Sequence, residues 1–259
     1  MNETILIISG TIFTLAVGAW GAIYYLTYAV RSQILGETVW RGNGSSNSVA
    51  LTFDDGPSPD TLGILDVLRR ENVKATFFLV GREVEKYPEI TRKIAGEGHE
   101  IGNHSYSHPI FLYCSSGKTK RELERTQEVI KKATSFAPKI SRPPCGVRSP
   151  AYFAAAKDLN LQTIQWSDTG FDWKKISPKR IAENVLKTVR NDSIVLLHDG
   201  DSAGKRSRRA TVEALPLILR GLREKGLHVA PLAELCPEIY ESEPSANFTA
   251  RPIEGEKQI

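Results

Sequence analysis

The sequence predicts an α/β protein: a distorted (β/α) barrel of about seven parallel strands, preceded by an N-terminal transmembrane helix. Three observations carry this expectation. From Val49 onward, short apolar runs rich in β-formers alternate with helical patterns, the order that builds a parallel sheet. Seven such repeats fit between residues 49 and 237, which suits a barrel better than an open sheet. No charged residue lies between Glu3 and Arg31, a stretch longer than the roughly 20 apolar residues that span a bilayer.

The elements follow in order. Residues 1–31 read as an uncleaved membrane anchor. The apolar stretch exceeds the roughly 7–15 residues of a signal peptide and lacks a basic start. Trp20, Tyr24, Tyr25 and Tyr28 gather toward its C-terminal end, where an interfacial belt sits. Residues 32–48, ending in the Gly/Ser/Asn-rich Arg41–Ser48, read as a linker. Val49–Phe53 is the first strand. Ser58-Pro59 opens a helix through Arg70, with Ser as cap and Pro in the first turn. Ala75–Val80 is the next strand, Glu83–Ala95 a charged helix, and the segment around His99–Asn103 a short strand. Lys118–Phe136 is a long amphipathic helix with Leu123, Ile130 and Ala133 on one side. Strands around Lys139–Arg142, at Gln162–Ser167, at Ser193–His198 and at the segment opening with His228 alternate with helices from Ser149, over Ser177–Val189 and over Ala210–Glu224. Residues 49–237 thus form one α/β domain. Residues 238–259, rich in Pro, Glu, Ser and Lys, are expected to be disordered.

Composition excludes several classes of function. The net charge of +4 comes without a Lys/Arg run interleaved with aromatics, so a nucleic-acid partner is not expected. The three cysteines, Cys114, Cys145 and Cys236, make no C-x-x-C pair, which excludes a zinc ribbon or a thioredoxin motif. There is no G-x-G-x-x-G after a strand and no P-loop.

In such barrels the chemistry gathers at the C-terminal ends of the strands. Asp54, Asp55, His104, Arg142, Asp172 and His198 all fall at or just past predicted strand ends. His104 and His108 are four apart, and Pro109 stops a helix from continuing, so a strand end followed by a single turn presents both imidazoles to one side. Alone, they could equally be two surface histidines. Likewise an Asp-Asp-Gly-Pro stretch alone is more often a turn than a catalytic device. Together, one carboxylate and two imidazoles make a three-ligand metal site with an open position. The second carboxylate is then free to act as general base. A bound cation would also relieve the repulsion between Asp54 and Asp55. Two histidines and a carboxylate also form the triad of non-haem iron oxygenases, but that chemistry does not need Asp54, Arg142 and His198 together.

The motifs that hold these residues resemble those of the polysaccharide deacetylase family, the NodB-homology group of carbohydrate esterases. Thr52-Phe53-Asp54-Asp55-Gly56 matches the family's T-F-D-D-G, and His104-Ser105-Tyr106-Ser107-His108 its H-S-x-x-H. Arg142-Pro143-Pro144-Cys145-Gly146 is similar to R-P-P-aromatic-G, with Cys145 in place of the aromatic. Asp168–Trp173 resembles D-x-x-D-W with one extra spacer residue, and Leu196-Leu197-His198 the final Leu-x-His. The resemblance covers residues 49–234 and implies roles. Asp54 is the general base, Asp55, His104 and His108 are the metal ligands, and Arg142 pairs with Asp54. His198 is the general acid, and Asp172 supports it. The stretched fourth motif leaves Asp168 as a rival to Asp172, which is preferred because it precedes Trp173. The backbone N–H of Cys145 is expected to face the oxyanion. Leu196 would line a pocket for an acetyl methyl, and Trp173 either touches a sugar face or is a core or rim residue. The implied reaction is hydrolysis of the N-acetyl groups of a polysaccharide such as peptidoglycan or a chitin-like polymer. A lipid-linked sugar or an O-acetyl ester is the alternative substrate. Zn2+ is the default metal for this ligand set, with Co2+ or Ni2+ as substitutes. His99 is expected to be structural, His228 is assigned no role, and Asp199 is expected to face solvent or serve a turn. Arg31 and Arg41 after the anchor favour a cytoplasmic domain by the positive-inside rule. A polymer substrate requires the opposite, and an extracytoplasmic domain is the expectation adopted.

Overall fold

The computed structural model describes residues 3–43 and 47–240. Helix α1, Glu3–Tyr28, is continuous, and its stretch Ile7–Tyr28 is long and apolar enough to cross a membrane. Ile7, Phe13, Leu15 and Trp20 on it stand exposed, the opposite of a core helix.

The rest of the described chain is a curled, all-parallel sheet wrapped by helices. Its strands are β1 (Ser48–Asp54), β2 (Thr76–Leu79), β3 (Glu100–Asn103), β4 (Ile140–Ser141), β5 (Gln162–Thr163), β6 (Asp168–Thr169), β7 (Ile194–His198) and β8 (His228–Val229). The order is β5-β4-β3-β2-β1-β7-β6, with β8 beside the start of β1. The barrel expected from the sequence is thus present, but among the described residues one side is not closed by a ladder. β5 has β4 as its strand neighbour and β6 has β7. The segment Val39–Gly42 lies along that side instead: Val39 donates to Thr163 O at 2.9 Å and accepts from Gln165 N at 2.7 Å, and Gly42 N donates to Asp192 O at 2.9 Å.

Serine and proline set the helix starts. Ser58 caps α2 (Pro59–Arg70), accepting from Asp60 N at 3.1 Å while its own N–H donates to Thr61 Oγ1. Ser149 caps α6 (Pro150–Asp158) and Ser177 caps α7 (Pro178–Thr188), again with Pro in the first turn. The core lies between sheet and helices. Phe53 and Phe77 stack with centroids 5.1 Å apart, packed among Leu51, Ile64, Leu68, Val195, Leu197 and Leu222.

Four expectations change in detail. The helix predicted over Glu83–Ala95 is two, α3 (Gly81–Lys86) and α4 (Pro88–Gly96). Tyr87 sits between them at φ −130° and ψ 58° because a residue before proline avoids the helical region. The strand predicted over Gln162–Ser167 ends at Thr163, and the chain then crosses to the opposite edge as β6. The long helix α5 (Ser116–Thr134) starts two residues earlier than predicted, because Ser115 caps it. Residues expected to be a linker are partly docked: Ser32 and Thr38 are buried, and Arg41 forms a bridge with Ser193. Residues 44–46 of that linker and the predicted tail beyond Tyr240 lie outside the described residues, while Ile239 and Tyr240 pack on the domain.

Candidate active site

Register places the reactive groups. Asp54 and His198 are direct neighbours at the C-terminal ends of β1 and β7. β1 ends at Asp54, and Asp55 turns the chain with a φ of 74°. Gly56 follows because a Cβ there would collide with the Asp199 carboxylate.

Asp54 is buried, and its Oδ1 accepts from Arg142 Nη1 at 2.7 Å. The Arg142 guanidinium has no exposure, yet all its nitrogens find acceptors: Thr52 Oγ1 at 2.8 Å, Gln165 O at 2.9 Å and Ile164 O at 3.3 Å as well as Asp54. Its plane also lies over the Phe78 ring, 4.1 Å from the centroid. A buried guanidinium so fully bonded is a fixed partner that aims the Asp54 carboxylate.

His104 follows β3. Its Nδ1 lies 2.7 Å from Arg142 O, an atom that only accepts, so Nδ1 carries the proton and Nε2 offers a lone pair. That Nε2 is 3.5 Å from Asp55 Oδ1. His108 Nε2 is 3.1 Å from the same oxygen. The turn joining the two histidines is not helical: Ser105 and His108 both have positive φ, and His108 N donates to Ser105 Oγ at 3.0 Å. The donor atoms of Asp55, His104 and His108 all lie within 4.8 Å of one another. Asp55 Oδ1 is buried and accepts no hydrogen bond. Burial pushes the Asp55 carboxyl up, but His104 and His108 outweigh it and hold the group well below the usual carboxylate range. Burial likewise lowers His104, and Asp54 and Asp55 override it to raise the imidazole. Both shifts say that this position favours positive charge. A carboxylate and two imidazoles with an orphaned oxygen therefore fit a divalent metal such as zinc.

Across the cavity, His198 Nδ1 lies 2.8 Å from Asp172 Oδ1, and Asp172 Oδ2 accepts from His198 N and Thr211 Oγ1, each at 2.8 Å. Burial lowers the imidazole, but Asp172 more than reverses this and the pKa rises to about 9. His198 is thus an imidazolium at neutral pH. Asp168, the rival partner, accepts from Ser167 Oγ and faces Arg41 instead. Trp173 packs edge-on against His198 with centroids 5.5 Å apart, so it buttresses the imidazole as well as lining the site.

Asp54, Asp55, His104, His108, Cys145, Leu196, Trp173 and His198 line one cavity of about 210 Å³. Cys145 has φ 55° in a tight turn, whose hydrogen bonds use the N–H groups of Gly146 and Val147 and leave that of Cys145 out. Sequence reasoning missed Trp166, Asp201 and Arg208, which also line this cavity. Arg208 is buried, donating to Gly200 O at 2.6 Å and Asp172 O at 3.3 Å. Asp199, expected to face solvent or serve a turn, lies in the bend after β7 but has no exposure: it bonds Thr61 Oγ1 at 2.6 Å beneath the Asp55-Gly56 turn. His99 is structural as expected, accepting from Ala75 N in the core.

A buried carboxylate and an imidazole on neighbouring strand ends, beside an Asp-His-His cluster that could hold a metal ion, at the mouth of a parallel α/β barrel, fit a hydrolase site. Residues 41–164 match the model of the polysaccharide deacetylase family, and the chain belongs to that family. It is 39% identical over 188 residues to a peptidoglycan-N-acetylglucosamine deacetylase of Bacillus cereus, covering 72% of this chain and 67% of that one. It is 36% identical over 199 residues to a chitooligosaccharide deacetylase of Bradyrhizobium, covering 73% and 91%. Among solved structures, the Bc1960 peptidoglycan N-acetylglucosamine deacetylase superposes with a TM-score of 0.73 at 36% identity, covering 77% and 92%. BA3943 of Bacillus anthracis, described as a pseudoenzyme of the same carbohydrate esterase family, superposes at 0.70 and 31%, covering 77% and 68%.

Proposed function

We propose that the protein is a metal-dependent deacetylase that removes N-acetyl groups from a cell-wall polysaccharide at the outer face of the membrane to which α1 anchors it. The observation that carries this is one cavity lined by Asp54, Asp55, His104, His108 and His198, in which Asp54 is paired with Arg142 and His198 with Asp172 from behind. The three ligands would hold the metal, which when bound supplies Lewis acidity and a more acidic water. Asp54, held in place by Arg142, takes the proton of the attacking water. The Cys145 N–H faces the developing oxyanion. His198 starts protonated and delivers its proton to the leaving nitrogen; Asp172 stabilises the imidazolium until then. Leu196 gives the acetyl methyl an apolar wall. Acetate and a free amine result. The peptidoglycan and chitooligosaccharide relatives support an N-acetylglucosamine polymer as substrate.

The test is acetate release by the full chain in detergent micelles, from N-acetylglucosamine oligomers and from peptidoglycan. Release should vanish with chelator, return with Zn2+, and fall at least about a hundredfold in Asp54→Asn, given the usual worth of a general base. Metal-independent release would overturn the proposal.

A lipid-linked sugar is the second reading. It is favoured by the way the end of α1 is tied to the site: Arg148, two residues past Gly146, donates from N to Thr27 O at 3.1 Å and from Nη2 to Ala29 O at 2.6 Å. Faster release from a lipid-linked N-acetylglucosamine than from either polymer would select it.

A further inference from the structure

A second cavity, of about 830 Å³, lies outside the active site on the side where α1 ends. Arg31, Arg41, Arg180, Lys187 and Arg190 line it, against the carboxylates of Asp168 and Glu183. Those acids do not neutralise it. Asp168 and Glu183 offset only two of the five cations, and Glu183 is already paired with Arg180 at 3.2 Å. Arg41 lies 3.8 Å from Asp168, and its buried Nε donates to nothing. Burial and the like charges of Arg190 and Arg31 hold its guanidinium below the usual arginine range. Cations crowded this way want an anion.

The position says which anion. Arg31 comes three residues after the end of the membrane-spanning helix. Trp40 lies between two of the cations, 4.8 Å from Arg31 and 5.7 Å from Arg41. Ile34, in the same segment, is 69% exposed. An indole flanked by guanidinium groups beside a bare aliphatic side chain, at the end of an apolar helix, matches the chemistry of the lipid headgroup layer. We infer that this cavity seats the phosphate of an anionic phospholipid, with Arg31, Arg41 and Arg190 as its principal partners. Phe171 also lines the cavity and packs on Trp173, the residue against His198. The lipid would therefore lie behind the loop that carries Asp172. The inference rests on the anchor assigned above.

Native mass spectrometry of the full chain in micelles, with phosphatidylglycerol or phosphatidylcholine added, tests it. One phosphatidylglycerol per chain should be retained in preference to phosphatidylcholine. Arg31→Gln with Arg190→Gln should weaken retention about 25-fold, taking about fivefold for each basic side chain near a membrane surface. Both residues are exposed and outside the catalytic machinery, so release of acetate from soluble oligomers should be unchanged. Equal retention by wild type and variant, or no preference for the anionic lipid, would overturn the inference. So would displacement of the lipid by inorganic phosphate at equal concentration, which would leave a free-phosphate site. Alkaline carbonate extraction of membranes reports separately on the anchor. A chain released by carbonate sinks the anchor and this inference together; a chain that resists it while showing no lipid preference sinks only this inference.

Discussion

Replacing Asp172 by Asn removes the charge that keeps His198 protonated and leaves the cavity wall in place. The wild-type imidazole titrates at about 9, with burial opposed chiefly by Asp172 and further by Asp55 and Asp54. A metal on Asp55 would cancel much of the smaller contributions, so the basic limb of the pH profile in the loaded enzyme belongs between the ordinary histidine value of about 6.5 and 9. In the variant the largest raising influence is gone, burial is opposed only by what the metal leaves of Asp55 and Asp54, and the limb should fall toward about 6.5. At pH 8 an imidazole of pKa about 9 is roughly nine-tenths protonated, while one of pKa about 6.5 is about 3% protonated. The expected loss of kcat/KM at pH 8 is therefore up to about 30-fold. It should shrink toward pH 5.5, where both imidazoles are protonated. A residual loss at low pH is expected, because an amide NH2 at the Oδ2 position cannot accept from both His198 N and Thr211 Oγ1. A broken buried hydrogen bond costs about 1–3 kcal/mol of stability, so Tm is measured alongside. The assay is kcat/KM for acetate release between pH 5.5 and 10. An Asp172→Asn enzyme that stays folded and keeps the wild-type basic limb would refute the assignment of His198 as an acid controlled by Asp172.

Asp199→Asn should behave in the opposite way. Burial raises the Asp199 carboxyl to about 7, so its ionisation opposes folding above the unfolded value of about 3.8. The variant's stability gain, read as Tm in metal-free protein, should appear as pH climbs past 4 and saturate above about 7, at a few kcal/mol. A gain that does not depend on pH would contradict a buried carboxylate held against its ionisation. Zinc should raise Tm in proportion to binding, by about 4 kcal/mol of stability at a thousand times Kd, and this rise should disappear in Asp55→Asn. Gly146→Ala should cost about 1–3 kcal/mol, since Gly146 has φ 69° and its Cβ would lie 2.7 Å from Trp166; a denaturant midpoint unchanged from wild type would show that the turn relaxes freely.

Much of this was legible in the sequence because the relevant signals are local. Ser-Pro pairs announced three helix starts, and the alternation of element types announced a parallel sheet. The reactive residues were legible through their strand-end positions and motif spacing. What escaped was set by long-range packing. Arg208 and Asp199 look like surface residues in a polar stretch, and only the closing of β7 against β1 buries them. Val39 and Arg41 look like linker because their partners, Thr163, Gln165 and Ser193, lie more than a hundred residues away. The break at Tyr87-Pro88 is different: the proline was in plain view, and the helical periodicity on either side masked it.

Backbone conformation at the site was the least legible feature, and it separates function from folding. Among the described residues, nine non-glycine positions have positive φ. Asn72, Ser135, Asn160 and Asp192 lie away from the cavity, and three of the four are Asn or Asp, the types that visit this region at least cost. The others are Asp55, Ser105, His108, Cys145 and Phe171. In the proposed mechanism two of these are metal ligands, one is the hydrogen-bond partner of a ligand, one carries the oxyanion donor, and one precedes Asp172. Such a position costs on the order of 1–3 kcal/mol in an unsuited residue such as Ser105, Cys145 or Phe171, and less in Asp55 or His108, whose types visit this region more readily. Glycine would be unstrained at all five, but it cannot ligate a metal or pack behind Trp173, so the roles proposed for Asp55 and His108 and the packing of Phe171 require the side chain. The surrounding parallel sheet, with Arg142 and Arg208 bonded into it, is what holds these turns in place.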